Sequence, residues 1–102
     1  MLPIKIKEFL NDLHLKTEKG QIKWVYSDIV DKVTFATTEL EISIAYMFDE
    51  TEEIGRYKVR ISKNGKEYWY STSQLHSDFE DVRKLYDSAQ SSDLELGPSL
   101  KL

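Results

Sequence analysis

His76, Ser77 and Asp78 supply the three residue types of a serine hydrolase, and they stand consecutively. Neighbours on a helix point in different directions, so they cannot form the hydrogen-bonded relay that this chemistry needs. Capping of a helix N-terminus explains Ser77 and Asp78 better. His14 lies beside the apolar stripe of the first helix and reads as a partly exposed boundary histidine. Asp49, Glu50, Glu52 and Glu53 cluster carboxylates of the kind a hard cation prefers. They lack the spacing and central glycine of a helix-loop-helix calcium site, so a solvated loop is the expectation. Glycine occurs only at 20, 55, 65 and 97, too sparsely for a phosphate-cradling loop, and there is no cysteine for a thiol nucleophile, thiolate site or disulfide. No catalytic, cofactor-binding or metal-ligating residue is assigned, and enzymatic activity is not expected.

The feature that stands out is Tyr68-Trp69-Tyr70. A strand sends neighbours to opposite faces, so the two tyrosines share one face and Trp69 takes the other. With the tyrosines in the core, Trp69 lies on a polar face beside Lys58 and Arg60, with Met47 as a further neighbour. Tryptophan and arginine dominate binding hot spots, so Trp69, Lys58, Arg60 and Met47 form the candidate partner-binding patch. The strand over 66–72 is also the expected sheet edge, whose unpaired backbone groups could pair with another strand or a second copy of the chain.

The elements that must position this patch follow from periodicity. Ile6, Phe9, Leu10 and Leu13 fall on one helical stripe, and Gly20 stands where a left-handed residue would end that helix, which spans about 3–18. Residues 21–32 have no clean period; a short extended segment around Ile22 and Trp24, then an irregular helix or loop, are both compatible. Leu40, Ile42, Ile44, Tyr46 and Phe48 alternate with small or polar residues, the mark of a strand with one buried face. Val33–Thr37 and Tyr57–Ser62 alternate likewise, Thr38-Glu39 fits a hairpin turn, and Asn64-Gly65 is a strong hairpin signal before a strand over 66–72. Leu75, Phe79, Val82, Tyr86 and Ala89 form a last helical stripe; its inclusion of Leu75 favours a start near Ser71-x-x-Gln74 over Ser77-x-x-Glu80. The expected architecture is an α+β two-layer sandwich. About four antiparallel strands form a meander, with the N-terminal and C-terminal helices packed on one face. Residues 1–92 make the single domain, and 93–102, with Gly97-Pro98, are read as a flexible tail.

With 102 residues, one domain is the natural count. The net charge is −4, unevenly spread: residues 39–53 carry six acids and no base, and residues 54–72 carry five bases and one acid. The overall sign disfavours general nucleic-acid binding, although the 54–72 strip keeps it as a minor alternative. Neither a membrane span nor a secretory leader is seen, so no membrane partner is expected and the cytoplasm is the default compartment. The favoured function is a non-enzymatic protein-interaction domain, of the accessory, antidote, immunity or phage type. A small-ligand protein with a pocket between helices and sheet is the other class. Tyr46, Tyr57, Tyr70 and Tyr86 would be its inward hydroxyls.

Thr17-x-x-Gly20-x-Ile22-x-Trp24 after an amphipathic helix, then a meander, then a helix carrying Leu85-Tyr86-x-x-Ala89, resembles a broad group of small uncharacterised bacterial α+β proteins. The likeness covers residues 6–92. It implies a compact α+β domain of bacterial or phage origin, and no activity.

Overall fold

A computed structural model of the chain describes residues 1–92; the tail expectation for 93–102 lies outside the described residues. Helix α1 (Ile4–Glu18) is followed by strands β1 (Val25–Ser27), β2 (Lys32–Ala36), β3 (Leu40–Asp49), β4 (Ile54–Lys63) and β5 (Lys66–Ser73), then helix α2 (Phe79–Gln90). The five strands form one antiparallel sheet in sequence order, and both helices cover the same face. The α+β sandwich is the expected one, with one more strand. That strand, β1, has three residues and pairs Tyr26 with Val33. It is too short for alternation to reveal, and the 28–31 stretch after it is a turn rather than a helix.

The turns follow from residues that tolerate a positive φ. Asn64 (φ 52°) and Gly65 (φ 80°) close β4 onto β5, with Lys63 opposite Lys66. Gly20 (φ 75°) ends α1: its N–H donates to the Thr17 carbonyl and that of Gln21 to the Lys16 carbonyl, which satisfies two otherwise orphaned acceptors.

The inner face of the sheet is apolar because strand alternation puts Val33, Ile42, Ile44, Tyr57, Val59 and Ile61 on it, all buried. Leu10 and Leu13 of α1 and Phe79, Val82, Leu85, Tyr86 and Ala89 of α2 close the core over them. Tyr57 is its aromatic centre, with ring centroids 5.2 Å from Tyr46, 5.1 Å from Phe79 and 5.3 Å from Tyr86.

The helices run side by side in the same direction, and each end of the pair is pinned. At one end Asp78 is 2% exposed. Its carboxylate accepts the Leu2 N–H at 2.7 Å and the Thr72 hydroxyl, so it ties the N-terminal segment, β5 and α2 together. At the other end Trp24 is fully buried; its Nε1–H donates to Thr17 Oγ1 at 2.9 Å, its backbone N–H donates to Ser92 Oγ at 2.6 Å, and its ring lies 5.7 Å from Phe35.

The early start of the last helix is overturned. Ser71, Thr72 and Ser73 still pair with Lys58, Tyr57 and Arg56, and Gln74 extends the match by exchanging hydrogen bonds with Gly55. The backbone is committed to the sheet there, so Leu75 falls in the connecting turn, 75% exposed. The Ser77–Glu80 capping box is not made either. Asp78 occupies the N-cap position, but its side chain serves the Leu2 and Thr72 contacts, and Glu80 pairs with Arg83.

Two predictions follow from these contacts. Burial alone would raise the Asp78 carboxyl, but the Leu2 N–H, the Thr72 hydroxyl, the N-terminal ammonium and Lys7 outweigh it, and the group is held below its usual value. A depressed acid stabilises the fold above its unfolded value and loses that contribution as pH falls through the folded one. Asp78→Ala should cost about 2–4 kcal/mol in denaturant unfolding, because two buried donors lose their acceptor. The variant should also lose part of the wild-type destabilisation below about pH 4. At the alkaline end, burial pushes Tyr57 up to about 12 from 10 and raises Tyr86 further. Raised groups support the fold below their unfolded value and withdraw that support as pH climbs through the folded one. Phenolate absorbance should therefore show these two rings titrating only together with unfolding, and Tyr57→Phe should move the alkaline transition to higher pH.

Candidate functional site

The outer face of the sheet is open to solvent, and its rows can be read from the strand register. One row runs Val25, Thr34, Ser43, Arg60, Trp69, and the next Ser27, Lys32, Ala45, Lys58, Ser71. On either side lie Ala36, Glu41, Ser62, Glu67 and Met47, Arg56, Ser73. Trp69 stands out of this polar surface with 62% of its area exposed. The structure brings Trp69, Lys58 and Arg60 together as expected. Together with Lys32, Ser43 and Ala45 they line a shallow depression of about 310 Å³. Met47 is exposed on the same face but stands opposite Arg56, two rows and two strands from Trp69, and takes no part in that depression.

Arg60 organises the patch. Its Nη1 donates to Glu41 at 2.6 Å and its Nη2 to Glu67 at 2.5 Å, while its guanidinium carbon sits 5.9 Å from the Trp69 ring centroid. A guanidinium forked between two carboxylates is held flat, which suits it to the face of an indole. Its hydrogen bond, then its charge, hold the Glu67 carboxyl below the usual range, with a smaller contribution from the Trp69 indole. Arg60 is thus neutralised within the chain. Lys32 and Lys58 have no carboxylate partner among the described residues.

Sequence reasoning missed Lys32, although its outward aim follows from the inward Val33 and Phe35. It also missed the two glutamates on Arg60. Their cross-strand placement depends on register, which fixes Glu41 and Glu67 on either side of one arginine.

The other candidates do not assemble a reactive site. His76 and Ser77 are exposed, while Asp78 is buried in its structural contacts. A different trio meets between the helices: His14 Nε2 lies 3.0 Å from Glu18 Oε1 and 3.3 Å from Ser88 Oγ, and Ser88 donates to Glu18 at 2.7 Å. In a nucleophilic relay the acid holds one ring nitrogen and the serine the other. Here both compete for Nε2, so the trio clamps α1 to α2 and relays nothing. Asp49 Oδ1 accepts the N–H groups of Thr51 and Glu52, and Arg56 pairs with Asp49 and Glu52. No group of three metal-ligating side chains occurs among the described residues.

No described helix is long and apolar enough to cross a membrane. No protein-family model, curated protein or solved structure matches the chain.

The contrast between the two tryptophans is measurable. Trp69→Ala should change stability by less than about 1 kcal/mol, as expected for a surface side chain. Trp24→Ala should cost about 3–5 kcal/mol. Acrylamide should quench one accessible and one protected emitter, with Trp69→Phe removing the accessible one. A Trp69→Ala cost equal to that of Trp24→Ala would make the ring part of the core rather than of a recognition face.

Proposed function

We propose that the chain is a non-enzymatic protein-interaction domain that docks its partner on the open face of the sheet, with Trp69 as apolar anchor and Lys58 and Arg60 beside it. The observation that carries this reading is a tryptophan 62% exposed on a face that neither helix covers, standing over an immobilised guanidinium. A large indole left in water yields its hydrophobic gain only when something covers it, and a prepositioned ring is covered at little entropic cost. A small accessory, antidote or immunity protein, or a phage-type factor, acts through such a surface.

The face is favoured over the β5 edge, because the N-terminal ammonium already donates to the Ser71 carbonyl and shields one end of that strand. A nucleic-acid partner is less well served. Within the basic strip Arg56 is paired with Asp49 and Glu52, and Arg60 with Glu41 and Glu67, so few cations remain to displace counterions. The small-ligand reading has no convergent polar set to recommend it, since Tyr57 fills the space under α2 with ring contacts.

The test is affinity capture from the native host with the wild-type chain, Trp69→Ala, and Phe48→Ser as a control at an exposed apolar position on the opposite face. One stoichiometric protein should be retained by wild type and by Phe48→Ser and lost by Trp69→Ala. A folded Trp69→Ala chain that keeps the same partner would remove this face from consideration.

A further inference from the structure

We infer that the surface docked on this sheet is an acidic protein segment, whose carboxylate is received between Lys32 and Lys58 over Ala45. The inference rests on the interaction reading above and adds the chemistry of the partner. Three observations lead to it. First, the register places Lys32, Ala45 and Lys58 directly across from one another on adjacent strands. Two cations of like sign therefore flank a methyl group, with one strand between them and no larger side chain to fill the gap. Second, the other cations of this face are already occupied: Arg60 lies between Glu41 and Glu67, and Arg56 faces Asp49 and Glu52. The uncompensated positive charge of the outer face is thus concentrated at Lys32 and Lys58. Third, the floor between them offers a further donor. Ser43 is 6% exposed, and its hydroxyl has only a 3.5 Å contact to Thr34 Oγ1, the outer limit of a hydrogen bond. An oxyanion held by two ammonium groups and a hydroxyl, with Trp69 covering an adjacent apolar side chain, satisfies the whole depression.

Charge complementarity selects a protein carboxylate over a polyanion. One or two carboxylates match the two lysines that have no carboxylate partner among the described residues. A nucleic-acid backbone would also run over Glu41 and Glu67 along the neighbouring row, where like charges oppose it. The acidic 49–53 loop lies at the far end of β3 and β4 and repels it further.

The experiment is an NMR titration of the isotope-labelled full chain with three probes. These are a short peptide alternating glutamate and valine, its glutamine counterpart, and an oligothymidylate of similar length. The glutamate peptide should shift the amides of Lys32, Ala45 and Lys58 and the Trp69 indole N–H. Lys32→Gln/Lys58→Gln should weaken it about tenfold, the loss of two charge-assisted contacts. Equal binding of the glutamine peptide, no loss in the double variant, or tighter binding of the oligothymidylate would overturn the inference. The captured host partner separates this failure from failure of the interaction reading. A partner lost by Trp69→Ala but kept by Lys32→Gln/Lys58→Gln sinks the acidic-segment inference alone, whereas a partner kept by Trp69→Ala sinks the site itself.

Discussion

Consecutive side chains of a strand must leave on opposite faces, and in this protein every structural consequence descends from that alternation. The meander places Val33, Ile42, Ile44, Tyr57, Val59 and Ile61 on one side, where α1 and α2 bury them, and turns the alternate set, Trp69 and Met47 among it, to water. A register slip of one residue in β5 would turn Trp69 toward the helix-covered face and the partly buried Tyr70 outward. The Asn64-Gly65 turn prevents that slip. A two-residue connection with both φ values positive admits a single pairing of Lys63 with Lys66, and every later pair down to Arg56–Ser73 is counted from it. The outward aim of Trp69 is therefore specified by the same turn that specifies the core.

Covering one face with two helices leaves their ends to be fixed, and the chain fixes them with polar contacts buried between elements. Asp78 and Trp24 act at opposite ends of the helix pair, each joining a near neighbour in the chain to a segment at the other end of it. The His14–Glu18–Ser88 contact sits between them on the exposed seam; there the Ser88 hydroxyl, then His14, hold the Glu18 carboxyl below its usual range. Buried polar groups are favourable only when satisfied, and no buried side-chain nitrogen or oxygen among the described residues lacks a partner. These clamps commit the side chains suited to acid–base chemistry to contacts between elements: His14, Glu18 and Ser88 join α1 to α2, and Asp78 joins α2 to β5 and the N-terminal segment.

Much of this was legible in the sequence, and the exceptions share a cause. The alternation in β3 and β4, the Asn-Gly turn, the Gly20 cap and the two apolar stripes are local signals, and each describes the fold correctly. The same local rule puts Trp69 on the outer face, but the expectation that both tyrosines join the core fails for Tyr68, which is 44% exposed. The signals that failed depend on contacts between elements. Leu75 fits the helical stripe by spacing, yet β4 holds residues 71–74 in the sheet, so the helix cannot begin there. Asp78 has the composition of a cap, but Leu2, separated from it by most of the chain, claims its carboxylate. β1 is three residues long and exists because β2 offers an edge to pair with. At the site, Lys58 and Arg60 look equivalent by sequence. Only the register distinguishes them, by putting glutamates beside one and alanine beside the other.

That difference bears on the selectivity that the proposed reading requires of the open face. An exposed tryptophan on a flat sheet invites indiscriminate association, and sheet proteins counter this with charge. Here the tryptophan stands beside Arg60, whose one positive charge is hydrogen-bonded to the two carboxylates of Glu41 and Glu67, a cluster that gains little from a random apolar surface. The neighbouring lysines remain in water and must be desolvated by anything that covers the indole. In the proposed complex, a partner without a carboxylate at that position would leave two ammonium groups without a counter-charge, which opposes binding. On the proposed reading, specificity would come from the penalty imposed on wrong partners, set by the two lysines that have no carboxylate partner among the described residues.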